Sequence, residues 1–596
     1  MLAMFVIVGL IQGRKIENTT DYYIAGRKAP TVLVVGSLIA SYLSSTAYMG
    51  DTGFMFDGFL MPYVLLCAVC SVGYIFGTRY FGIHLRRSRV LTLPEFFGRR
   101  FNSPRIRMVL SIITVVGIMC YLTTVTKGGA LLMQNLLGMK ENPNGYLICL
   151  LIVWVVYTSF TFFSGSKGVI VTDTIMFFIF AFMAFISVPF IFQAAGHFSG
   201  AINPVTDTVV YLNDAEHVQQ GLDMGIWSTF TEPIHKPDWG DFDFTNITMH
   251  LKPGALSAGG VTNPDSPWAY MGSAADSIIW GVVLGFIWLI AMAVSPWQTS
   301  RYMMAKNEHV VMRTGLIGAI VAFAVLLFID LAMTVANLID IPPTASSEET
   351  FIWMAMNILP RWLGIVIFCG IMSAVLSSCS TFASLIGFSL ANDILPAINK
   401  KMKPENGLRN SRIVMLIASL VVVVITYWTI PGIQLVSYFA ASLFAISWGF
   451  VAFMSTQSKR ISENGAFWSI LVGAIVFTVL SILKNVALIP DAEGVLQKVA
   501  FPTLLRPEIL GLASAIAAYF IANRPAAITD EERAYFKMLH TPEPEEVAQR
   551  LGKPEIKKTL WGAKAVILFG VAFIAILIVI YLIPYQAGID ILNGAA

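Results

Sequence analysis

Gly36-Ser-Leu-Ile-Ala40-Ser-Tyr-Leu-Ser44-Ser-Thr-Ala-Tyr-Met-Gly50-Asp-Thr-Gly53 sits inside an apolar stretch covering residues 31–56. A stretch of that length suits a bilayer, because a helix rises about 1.5 Å per residue across a hydrocarbon core about 30 Å thick. Lipid gives hydroxyls nothing to bond, so Ser41, Ser44, Ser45 and Thr46 point to a bundle interior or an ion path. Gly50, Asp51 and Gly53 predict that the helix unwinds or ends there. A second stretch has the same character. Ser373-Ala-Val-Leu-Ser377-Ser-Cys-Ser-Thr381-Phe-Ala-Ser384 runs on to Asn392-Asp393, and Ser377, Ser378 and Thr381 share one helical face by spacing. Neutral hydroxyls, joined by carbonyls that an unwound helix frees, are the hard oxygens that a dehydrated sodium ion needs. The same small residues also permit close helix packing, and the pattern alone allows either use.

The rest of the chain reads as the same kind of protein. Of 596 residues, 56% are hydrophobic and 13% charged, against about 25% charged in soluble domains. Apolar stretches recur almost throughout, and the alternating pattern of a membrane β-barrel is absent. The expectation is an all-α polytopic membrane protein with about 13–14 transmembrane helices, in contact with the lipid bilayer. Spans fall within 31–195, 274–455 and 465–523, with a last one at 560–584. Residues 1–12 are apolar but too short to cross alone, and read as the tail of a first, truncated segment. They lack a basic leader region and a cleavage site.

Charge orients these spans. Alternating loops place 31 of the 39 basic residues on one side, which the positive-inside rule makes cytoplasmic. Loop 196–273 lies on the other side, with nine acids against Lys236 and Lys252. That arrangement puts 13–30 inside, 196–273 outside and the N-terminus outside, in a multi-pass plasma (inner) membrane protein. Segment 524–559 carries both charge signs and opens on a capping pattern, Thr529-Asp-Glu-Glu532, which predicts a short cytoplasmic helix. All six cysteines lie in apolar stretches, so disulfides are not expected. Cys67 and Cys70 stand one turn apart without further metal ligands nearby. Zinc-protease, dinucleotide and phosphate-loop motifs are missing. No enzyme, nucleic-acid partner or obligate protein partner is expected. A solute sensor would need a signalling domain that 524–559 does not supply.

Several motifs together resemble the sodium:solute symporter family. Tyr22-Tyr-Ile-Ala-Gly-Arg27 is similar to its lead-in to the first core helix, and Leu93-Pro94-Glu95-Phe96 with Arg100-Phe101 to an inner loop. Val171-Thr172-Asp173 resembles its fifth core helix. Arg301-Tyr302 with Ala305-Lys306 resembles the loop after the sixth, and Ala374-x-x-Ser377-Ser378 the eighth. Asn464-Gly465-Ala466 and Gly473 fit the extra helix that follows. The likeness covers roughly residues 15–480.

What the resemblance implies is a LeuT-type core of two inverted five-helix repeats, 31–195 and 274–455, with flanking helices. It implies alternating-access symport of a small-molecule substrate with Na+, the ion held by carbonyls of Ala40, Leu43 and Ala374 and hydroxyls of Ser377 and Ser378. Asp173 with Ser380 matches a second cation position on the exit path, although an interfacial acid is an equal reading of Asp173. Substrate is expected near Ser44, Thr46, Lys127, Ala291 and Met292. Ala291 and Met292 stand where sugar-transporting members place an aromatic gate, which disfavours a sugar, while Pro296 is similar to the proline-transporting branch. Lys127, in Thr123-Thr-Val-Thr-Lys127-Gly-Gly-Ala130, costs about 2.5–3.5 kcal/mol at a helix centre and so needs a partner. Asp330 and a carboxylate substrate are the two candidates, and snorkelling to the outer surface is the third reading. Asp173 and Lys127 also leave proton coupling open, but Ser377 and Ser378 do not titrate and favour sodium.

Overall fold

The computed structural model describes residues 1–56, 60–194, 274–336, 347–398, 407–428, 433–486, 488–490, 496–498, 505–542, 554–577 and 579. The long loop expected at 196–273 lies outside them. In chain order the helices begin with α1 Leu2–Gly13, α2 Thr19–Ile24, α3 Thr31–Ala40, α4 Thr52–Phe56, α5 Leu60–Phe76, α6 Ile83–Ser88 and α7 Leu93–Arg100. They continue with α8 Pro104–Leu136, α9 Gly145–Ala194, α10 Ala274–Val294, α11 Pro296–Met304, α12 Glu308–Val335, α13 Thr350–Asn357, α14 Arg361–Phe388 and α15 Leu395–Ile398. The last are α16 Gly407–Trp428, α17 Ile433–Phe444, α18 Phe450–Gln457, α19 Glu463–Val486, α20 Pro507–Ala522, α21 Asp530–His540 and α22 Pro554–Leu577. One short hairpin, β1 Leu488–Pro490 with β2 Leu496–Lys498, follows α19.

Among the described residues ten helices are long and apolar enough to cross a bilayer, with three shorter apolar ones besides. One of the ten, α9, is two predicted spans joined. Its kink is at Gly165, with φ 48° and ψ −155°, a conformation open to glycine alone at small cost. A side chain there would also strike the Tyr22 backbone and ring.

The first core span breaks elsewhere than Gly50–Gly53. Helix α3 stops at Ala40, residues 41–44 leave the helix, and a π turn over Thr46–Asp51 leads into α4. Gly50 is carried inside that wider turn and Gly53 inside α4. The reason for the earlier break is local: Ser44 Oγ accepts from the Thr46 N–H at 3.1 Å, so a side chain takes over from the helical ladder. A second break falls at Ser295, with φ −62° and ψ 149°, between α10 and Pro296 at the start of α11. Proline there supplies no N–H to continue α10 and starts α11 without loss.

Close packing holds these broken helices in place. Gly73 and Gly77 of the α5 span lie so near the α10 backbone at Leu289 and Ala293 that a Cβ would approach atoms there to 2.3 and 2.5 Å. Helices α3 and α14 both pack on α9. At the basic face, Ala29 and Ala305 form a parallel bridge, with Ala29 N–H donating to Met304 at 3.1 Å and Lys306 N–H to Ala29 at 2.9 Å. The start of α3 is thereby tied to the end of α11. The capping box before α21 is present, Thr529 and Glu532 each bonding the other's backbone.

Candidate functional site

The two hydroxyl clusters meet at the first break. Ser377 Oγ donates to the Ala40 carbonyl at 2.6 Å, and Ser378 Oγ donates to the same oxygen at 3.3 Å. Ser377 Oγ also reaches the Ala374 carbonyl at 3.3 Å. Ala40, Leu43, Ala374, Ser377 and Ser378 are all fully buried. Four of the five expected ligand residues therefore converge through these hydrogen bonds, and Leu43 lies in the unwound segment that follows Ala40. These are hard, neutral oxygens, which suit a monovalent cation, and the donor set fits sodium.

Asp173 lies fully buried against Thr381, about one helical turn past Ser377 on α14, and its partner is one that the sequence motifs do not pair with it. Arg301 Nη2 donates to Asp173 Oδ2 at 2.8 Å, Arg301 Nε to Ser37 Oγ at 3.0 Å, and Ser37 Oγ to Asp173 Oδ2 at 2.7 Å. Thr381 joins the same carboxylate and guanidinium. In this conformation the cation facing Asp173 is thus a guanidinium. Ser380 turns away, donating to the Ser377 carbonyl at 2.9 Å.

Above the break, polar groups line the space between the bundle helices. Thr46 Oγ1 and Thr124 Oγ1 each lie within 3.0 and 3.2 Å of Ser437 Oγ, and the Tyr121 hydroxyl faces Thr46 and Ser44. Ala291 and Met292 are fully buried at the end of α10. Gln298 follows the second break, its amide donating to Tyr74 Oη at 3.4 Å and to Met292 Sδ at 3.6 Å. Its Oε1 is buried and has no hydrogen bond among the described residues. Tyr121 packs edge-on against Trp297, with ring centroids 5.3 Å apart. Tyr74, Tyr121, Gln298 and Ser437 went unread in the sequence, because single polar residues in apolar spans carry no spacing signal. Lys127 is half-buried on α8. Its neighbour Gly128 sits against Ser45 and Met49, so the lysine lies alongside the outer part of the broken first span. Asp330 is buried and faces Asp51.

The sodium:solute symporter family model matches residues 22–473. The chain belongs to this family. The symporter is 22% identical over 480 residues to the sodium/proline symporter of Salmonella typhimurium, covering 79% of this chain and 84% of that protein. It is 27% identical over 191 residues to the sodium/glucose cotransporter of Vibrio parahaemolyticus, covering 31% and 34%. Its structure is similar to that of a Na+-coupled sialic acid symporter in a substrate-bound outward-open state. That match has a TM-score of 0.63 at 15% identity, covering 87% of this chain and 95% of that one. The fold of the symporter is LeuT-type, with flanking helices. Family membership makes it a multi-pass membrane transporter of a small solute with sodium as the coupling ion, and not an enzyme.

Proposed function

We propose that this symporter couples sodium entry to uptake of a small carboxylate or amino-acid-like solute. The observation that carries the sodium site is the convergence of Ser377 and Ser378 on the Ala40 carbonyl where α3 unwinds. Sodium binds there through carbonyls of Ala40, Leu43 and Ala374 and the two hydroxyls. Solute binds above it, among Ser44, Thr46, Lys127, Ala291 and Met292. The repeats 31–195 and 274–455 then rock about this point, and Asp173 with Ser380 lies on the exit path. The basic face is cytoplasmic, which places the N-terminus outside a plasma membrane. The preference for an amino-acid-like cargo draws support from a buried site without an aromatic residue at 291 and 292. The sodium/proline symporter is also matched over most of its length, and the glucose cotransporter over about a third.

Proton coupling would need Asp173 or Lys127 as carrier, and Asp173 is engaged by Arg301. Uptake into proteoliposomes with sodium replaced by choline at fixed pH is expected to fall to background. Undiminished uptake would refute sodium coupling. Lys127→Met is expected to abolish uptake of an anionic solute while leaving the sodium-induced rise in thermal stability intact. Unchanged uptake in that variant would end the role given to the lysine.

A further inference from the structure

Helix α21 packs on α6 and α7 at the basic face, and its capping box fixes where it starts. Arg87 Nη1 donates to the Leu539 carbonyl at 2.9 Å, His84 shares that carbonyl at 3.0 Å, and the rings of His84 and His540 lie 4.6 Å apart. Between α21, α7 and the turn joining α18 to α19 is a cavity of about 730 Å³. Its charged lining is one-sided. Arg100, Lys459, Arg460, Arg533 and Lys537 face it with His540, against the single acid Glu532.

Arg100 is 1% exposed. Its Nε and Nη2 donate to the Ser455 and Ser458 carbonyls at 2.8 and 3.4 Å, and its guanidinium lies 5.1 Å from the Phe536 ring centroid. Its Nη1 is buried and has no hydrogen bond among the described residues. Glu532 spends Oε2 on Thr529, and its Oε1 is likewise buried without a partner. An unused cationic donor beside an unused acceptor is costly inside a protein. A ligand that both accepts and donates would satisfy the two together. Burial pushes the Arg100 guanidinium down to about 10, with Glu532 and Tyr535 opposing that shift.

We propose that this cavity binds a phosphate-bearing anion, which accepts from Arg100 and the lysine and arginine rim and donates a hydroxyl to Glu532. Arginine forks and lysine point charges are the usual partners of phosphate. The solvation cost of an isolated small anion is met here by five cations. The phosphate belongs either to a soluble compound or to a lipid headgroup reaching the edge of the cavity; both present the same group. Bound there, it joins α21 to α7 and to the α18–α19 turn, so it clamps the segment before the last span onto the core.

The test uses the full chain in lipid nanodiscs, with hydrogen exchange of residues 529–540 as readout. In one arm, neutral phosphatidylcholine discs receive inorganic pyrophosphate, against sodium chloride at equal ionic strength. In the other, phosphatidylglycerol replaces part of the neutral lipid and no phosphate is added. At ten times the dissociation constant, exchange through release of α21 slows about tenfold. Slowing in the first arm identifies a soluble phosphate, and slowing in the second alone a headgroup. In Arg533→Gln/Lys537→Gln, both sites being exposed, the slowing is expected to disappear while the unliganded exchange stays as in the parent. No slowing in either arm, or equal slowing in the double variant, would overturn the proposal. Because no transport is measured, the result stands apart from the cargo and coupling assignments.

Discussion

Replacing both Ser377 and Ser378 with alanine is expected to raise the sodium concentration for half-maximal uptake by about 100-fold, or about 2.7 kcal/mol. The site as described offers the ion five oxygens, two of them these hydroxyls. Each removed hydroxyl takes away one ligand, and nothing can replace it in a site where both residues are fully buried. Unmet polar interactions in such places cost about 1–3 kcal/mol each, so either single variant is expected to shift sodium affinity by about tenfold. The two residues touch the same carbonyl, so their effects need not add. Ser384→Ala serves as the control. It lies on the same helix, and its hydroxyl donates only within α14, to Ser380 at 2.8 Å. The check is the sodium dependence of uptake together with the sodium-induced thermal shift. An unchanged half-saturating concentration in the double variant would remove the ion from this site. By linkage, a solute that binds more tightly with sodium present must also tighten sodium binding by the same factor. The double variant is therefore expected to weaken solute binding only when sodium is present.

The membrane fold was legible because its signals are local and additive. Each span needs about 20 apolar residues, and a capping box needs four consecutive ones, so α21 could be read from Thr529–Glu532 alone. The hydroxyl clusters were legible for a related reason: a polar group in a span is expensive, so three on one face narrow the readings to close helix packing or an ion path. The break points were harder. Glycine marks where a helix can unwind, but the chain broke at Ser41–Ser44, where a serine side chain bonds a backbone N–H nearby. What stayed hidden was pairing across distance in the sequence. Asp173 and Arg301 were both singled out, 128 residues apart, yet nothing in either motif names the other. The same holds for Arg100 and the rim of the α21 cavity, which residues from three separate stretches assemble.

That hidden pair gives the second large effect. Arg301→Met leaves Asp173 buried without its cation, and breaking a buried ion pair from one side costs about 3–5 kcal/mol. Both side chains are almost wholly enclosed, at 2% and 0% exposure, so water cannot stand in for the missing partner. Asp173→Asn is expected to destabilise similarly, since it strands the guanidinium among Ser37, Ser300 and Thr381. Removing both charges together is expected to recover a large part of the loss, because the desolvation cost of the two charges disappears with them. Thermal unfolding of the four proteins without sodium measures the coupling. Additive losses would mean that the contact contributes no energy of its own. Arg301→Lys separates charge from shape, because a lysine keeps the charge but cannot span Asp173, Ser37 and Thr381 at once. These partners lie on α9, α3 and α14, while Arg301 is on α11, so one guanidinium joins four helices on the basic side of the sodium site. On the exit path proposed above, solute and ion would leave toward that side by separating these helices, which makes the ion pair a cost of opening. In a Ser380→Cys background, where the introduced thiol is buried while the helices stay closed, variants that keep the fold but lose the pair are accordingly expected to show faster thiol labelling than the parent, and equal labelling would deny the pair any part in closure.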